Sequence, residues 1–121
     1  MKPNLLFKLS GIFLLINGLA AAFTSDLFLE GAGMTLDPDG ITTAQAFGAS
    51  LIALGITVFR IPSFVGNIKE AITTVIIGYL TFVVLISVHL INGQAEGPTP
   101  VVNLILNIIF IILYLIARKK V

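Results

Sequence analysis

The seven basic side chains of this 121-residue chain all fall on one side of a membrane if its four long apolar stretches are taken as successive crossings. Lys2 and Lys8 precede the first stretch, Arg60 and Lys69 lie between the second and third, and Arg118, Lys119 and Lys120 follow the fourth. Five of the six acids take the other side: Asp26, Glu30, Asp37 and Asp39 after the first stretch, and Glu96 after the third. Lysine and arginine near span ends stay in the cytoplasm, so the pattern predicts cytoplasmic N and C termini, with the first and third connections outside. Chance would place seven such charges on one side about once in sixty.

A hydrocarbon core about 30 Å thick takes roughly 20 apolar residues per helix, so four crossings need roughly 80, about two-thirds of the chain. The longest connection, about 24–40, is too short to enclose a soluble core of its own. The expected fold is therefore all-α: a single antiparallel four-helix bundle, 1–121, integral to the cell membrane and multi-pass. A mean hydropathy of +1.07 places the chain in the same class. The lipid bilayer is the expected partner. Nucleic acid is not, because the net charge is only +1 and topology accounts for every basic residue. The absence of cysteine removes thiol redox chemistry, disulfides and thiolate metal sites together.

Local signals place the spans at about 4–23, 41–61, 68–92 and 100–117. The first has the outline of a signal peptide, with Lys2 and Lys8, an apolar run from Leu9 to Ile16, and Ala20 with Ala22 as an A-x-A site. With Leu5, Leu6 and Phe7 added it is long enough to span, and it is read as a retained helix. The second follows the turn Asp37-Pro38-Asp39-Gly40, with Thr42 and Gln45 at capping-box spacing and Pro62 as its end. Asn67 and Glu70 repeat that spacing before the third, and Gly93 stands past its end. Thr99-Pro100 supplies an N-cap and a first-turn proline for the fourth. The short connection after Arg60 predicts that the second and third helices are antiparallel neighbours.

Gly11 and Gly18 are seven apart, and so are Gly48 and Gly55. Seven residues return to nearly the same helix face, so each pair offers a smooth stripe for close approach, extended by Ala22 and Ala44. The plain reading is packing between helices of one chain. The sharper one is the face of a homodimer or of a partner membrane protein.

Side chains that lipid does not tolerate are the remaining functional clues. The outer half carries Asn17, Gln45, Ser50, Ser87, His89, Asn103 and Asn107, with all four helices contributing. At 1.5 Å per residue, Asn17 and Asn107 lie about 10 Å deep, and Gln45, His89 and Asn103 about 3 to 7 Å deep. Asn17, His89, Asn103, Asn107 and Gln45 are the candidate ligand-binding residues, forming an outward-facing polar pocket around the single histidine. Interhelical hydrogen bonding is the competing explanation, and Gln45 has another as a capping partner. The inner half offers Thr73, Thr74, Thr81 and Gly78, marking a helix that can be closely approached, with Tyr79 expected to carry its only far-reaching hydroxyl.

One histidine without cysteine does not make an ordinary zinc or haem site, and no cofactor or metal is expected. Asp37, Asp39 and Gly40 lack the third acid and closing glutamate of a calcium loop. No nucleophile with a neighbouring base is visible, so no enzymatic activity is expected.

In size the chain resembles the small multidrug resistance transporters, but those carry a glutamate within the first helix where this chain has Asn17. The first span with its acidic outer loop, followed by the glycine-rich run Phe47-Gly48-Ala49-Ser50-Leu51-Ile52-Ala53-Leu54-Gly55 ending at Arg60, resembles the four-helix bacterial membrane proteins of DoxX type. That resemblance implies an architecture and no catalytic residue. The expected function is a small non-enzymatic membrane protein, an accessory or binding module for a small or lipidic ligand. The alternative is a transporter or channel subunit.

Overall fold

In the computed structural model, which describes residues 1–121, the chain forms α1 (Pro3–Phe23), α2 (Ser25–Glu30), α3 (Pro38–Phe64), α4 (Ile68–Ile91) and α5 (Pro98–Lys119). All but α2 are long and apolar enough to cross a membrane. Their 21, 27, 24 and 22 residues correspond to roughly 32 to 40 Å of helix, against a hydrocarbon core of about 30 Å. This is the all-helical bundle of a multi-pass membrane protein. One end carries both termini and the α3–α4 turn, with all the basic residues; the other carries the two acidic connections.

Capping chemistry moves three boundaries away from the apolar pattern. α3 starts at Pro38 because Asp37 accepts a hydrogen bond from the Gly40 amide at 2.8 Å and proline takes the first helical position. Thr42 and Gln45 are thereby inside the helix, and the Thr42 hydroxyl donates to the Pro38 carbonyl instead of capping. α3 also runs through Pro62 to Phe64, since a proline in the last turn forfeits a single backbone bond. α5 begins at Pro98, with Gly97 at φ 88° as its N-cap, so Thr99 lies in the first turn. The other signals act as expected: Asn67 accepts from the Glu70 amide at 3.2 Å, and Gly93 leaves α4 at φ 78°.

The helices assemble as two close pairs, α1 with α3 and α4 with α5, which meet along two thinner seams, α1–α5 and α3–α4. The short turn leaves α3 and α4 as antiparallel neighbours, as expected, but across a thin seam; the closest pairing is set elsewhere. The glycine stripes set it. A methyl placed on Gly11 would lie 2.7 Å from the Phe59 amide nitrogen, and one on Gly55 would lie 2.9 Å from the Gly11 carbonyl oxygen. These neighbours are backbone, so only glycine permits the approach. Both stripes are spent within the chain. Gly78, by contrast, has nothing within 4 Å of its missing methyl and marks no close approach. Thr73, Thr74 and Thr81 donate to the carbonyls four residues back along α4.

The opposite face of α1 meets the second pair through aromatic rings. Phe13, Tyr79 and Phe110, from α1, α4 and α5, form a layer with ring centres 5.3 to 6.5 Å apart. Nearer the basic end, Phe7 lies 5.3 Å from Tyr114. There Leu6, Phe7, Ile72 and Tyr114 are fully buried.

Candidate functional site

Glycine on one side of α1 and large rings on the other give the bundle unequal spacing. Toward the acidic end, beyond the aromatic layer, the two pairs enclose a cavity of about 330 Å³. Phe13 reaches it from α1, Phe47 and Leu51 from α3, and Phe82, Leu85 and Ile86 from α4. Its polar side chains include Asn17 on α1, His89 on α4, and Asn103 and Asn107 on α5.

Four of the five candidate residues are thus brought to one cavity, from three helices. Gln45 is not among them. It lies on a separate depression beside Phe23, Thr24, Ser25, Asp26, Leu27 and Ile41, where α3 meets the start of α2. The helix period explains the separation: Phe47 and Leu51, four apart, share the cavity-facing stripe, whereas Gln45 is two residues off it. Ser50 is exposed and donates to the Ala46 carbonyl at 3.0 Å.

The three asparagines use their amide nitrogens locally. Asn17 donates to Phe13 O at 3.0 Å, Asn103 to Thr99 O at 3.1 Å, and Asn107 to Asn103 O at 2.7 Å. None of these bonds crosses between helices, so interhelical glue does not describe them. Asn107 is only 4% exposed, and its Oδ1 is the one buried side-chain polar atom with no hydrogen-bond partner. A buried acceptor left unpaired costs roughly 1–3 kcal/mol. It is the strongest chemical demand made by the cavity wall.

A lid that the apolar pattern did not indicate closes the acidic end. Phe28 and Leu29 of α2, with Ala32, Met34 and Ala95 from the two connections, line the cavity. The connections are joined by backbone bonds, from the Glu96 amide to Ala32 O at 2.9 Å and from the Thr99 amide to Gly31 O at 3.1 Å. Gly33 at φ 73° turns the chain out of α2 against the Glu96 side chain, a conformation other residues rarely adopt. Asp26 ahead of Leu27-Phe28-Leu29 was the available sign of a short amphipathic helix.

A second polar cluster lies below the aromatic layer. The Ser10 hydroxyl and the Tyr114 hydroxyl share a hydrogen bond, and the Tyr79 hydroxyl donates to the Ser10 carbonyl at 3.3 Å. Tyr79 is therefore not the only far-reaching hydroxyl of this half: Tyr114 is its counterpart on α5. Arg118 completes the basic end by donating to the Thr73 hydroxyl at 2.9 Å. Neither polar cluster contains a group of three side chains placed to hold a metal ion.

The fold and site define a class: a small multi-pass membrane protein with an internal, mostly apolar cavity. The chain matches no known protein family, no curated protein and no solved structure.

Proposed function

We propose that the chain is a non-enzymatic membrane protein that holds a small or lipidic ligand in the cavity between its two helix pairs. It resides in the cell membrane with both termini in the cytoplasm and the lid outside, an orientation supported by the segregation of all seven basic residues. The observation that carries the reading is the cavity itself, because a space of about 330 Å³ among apolar side chains with a few inward polar groups has the make-up of a small-molecule site. His89, Asn103, Asn107 and Asn17 orient the ligand, and the apolar lining supplies contact area. The alternative, a transporter or channel subunit, would need a route through the layer formed by Phe13, Tyr79 and Phe110.

The test is mass spectrometry of the chain extracted into lipid nanodiscs without detergent. A bound small molecule is expected on the wild-type chain and absent from Asn103→Phe, which fills the cavity. Equal retention by both, or no bound molecule on either, would overturn the reading.

A further inference from the structure

Of the side chains lining the cavity, only Phe47 and Leu85 are exposed, at 44% and 51%; the others are buried or half-buried. These two belong to α3 and α4, consecutive helices that share little direct contact. Phe47 lies nine residues into α3 and Leu85 six residues before the end of α4. That places them roughly 14 and 9 Å along their axes, level with the hydrocarbon rather than the water. At the acidic end, Ala32, Ala95 and Pro100 are buried and backbone hydrogen bonds join the two connections. The exposed part of the lining therefore lies between α3 and α4, away from the bonded acidic end.

The chemistry of the walls narrows what can pass. His89 is the only ionisable residue in the lining, and carrying an unpaired charge past Phe47 and Leu85 is strongly unfavourable. The amides of Asn17 and Asn107 lie on α1 and α5, across the cavity from the α3–α4 seam, and Asn107 Oδ1 there lacks a donor. The geometry points to a lateral mouth between α3 and α4 through which an uncharged lipid-soluble molecule bearing a hydroxyl donor exchanges directly between bilayer and cavity. This rests on the ligand-holding reading above and adds the route and the chemical class.

The chain has no tryptophan and no cysteine, so both can be introduced without background. Phe82→Trp in phosphatidylcholine vesicles provides a reporter inside the cavity, and a bromine-tailed undecanol serves as quencher. Saturable quenching is expected, with bromoundecane, which lacks the hydroxyl, about tenfold weaker. Phe47→Cys/Leu85→Cys, joined by a reducible thiol cross-linker, should slow the onset of quenching about tenfold, and reduction should restore it. The pair Glu30→Cys/Glu96→Cys, joined by the same cross-linker, fastens the lid at two exposed positions outside the cavity lining and should leave the rate unchanged. Slowing by the lid link but not by the seam link would overturn the lateral route while leaving ligand binding intact. Equal potency of the two probes would overturn the hydroxyl requirement. No saturable quenching in Phe82→Trp or in a second reporter, Ile86→Trp, with helicity preserved, would overturn the cavity as a binding site, and the route with it.

Discussion

Gly18 and Gly48 exclude a side chain from each other reciprocally: a methyl on Gly18 would lie 2.8 Å from the Gly48 carbonyl oxygen, and a methyl on Gly48 would lie 2.7 Å from the Gly18 carbonyl oxygen. Because both obstacles are helix backbone, neither can move aside without separating α1 from α3. Gly48→Ala should therefore destabilise the protein by about 1–3 kcal/mol through overpacking. Gly78→Ala, where nothing lies within 4 Å, should be neutral or stabilising by up to about 1 kcal/mol, the helix preference of alanine. Thermal unfolding of the two variants in one detergent checks the contrast, and equal melting temperatures would contradict it.

What was legible beforehand follows from how local each signal is. The spans and the glycine pairing depend on composition and on a repeat along one helix, and both can be read along the chain. Convergence of Asn17, His89 and Asn107 could be anticipated from comparable depth together with the cost of a polar side chain facing lipid. Gln45 could not be separated from them in that way, because depth says nothing about which way a residue faces around the helix axis. The partner of Ser10 is 104 residues away at Tyr114, and no local pattern encodes such a contact. The lid is absent from the apolar pattern because six residues of helix form only against the tertiary surface they cover.

The hydrogen bond between Ser10 and Tyr114 joins α1 to α5 below the aromatic layer. Interhelical bonds of this type are worth about 0.6 kcal/mol on average and up to about 1.7. A double-mutant cycle of Ser10→Ala and Tyr114→Phe should return a coupling energy in that range. Both variants should leave ligand occupancy of the cavity unchanged, because neither residue lines it. Additive effects on unfolding would show that the bond contributes nothing.

Orientation can be read with single cysteines, since the chain has none of its own. Asp26→Cys, Glu96→Cys and Lys119→Cys sit at exposed positions of α2, the α4–α5 connection and the last turn of α5. On intact cells an impermeant maleimide should label positions 26 and 96, and it should reach 119 only after permeabilisation. The reverse pattern would invert the protein in the membrane and turn the lid toward the cytoplasm.

Asn107 sets stability against binding. Its Nδ2 bonds to Asn103 O, while its Oδ1 is buried and bonded by no protein group, so the side chain carries an acceptor that the fold leaves unmet. Leucine has a similar size and makes no such demand. Asn107→Leu should therefore raise the stability of delipidated protein in detergent by about 1 kcal/mol, the lower part of the range for an unsatisfied buried group. The same substitution should weaken the bromine-tailed undecanol about tenfold, because the donor that satisfies Oδ1 is the ligand's hydroxyl. His89→Ala serves as the comparison: its ring is half-buried in the cavity wall, so truncation should weaken binding with no gain in stability. A lower melting temperature for Asn107→Leu, together with unchanged quenching by the alcohol, would mean that Asn107 is held for packing and that its oxygen awaits no ligand.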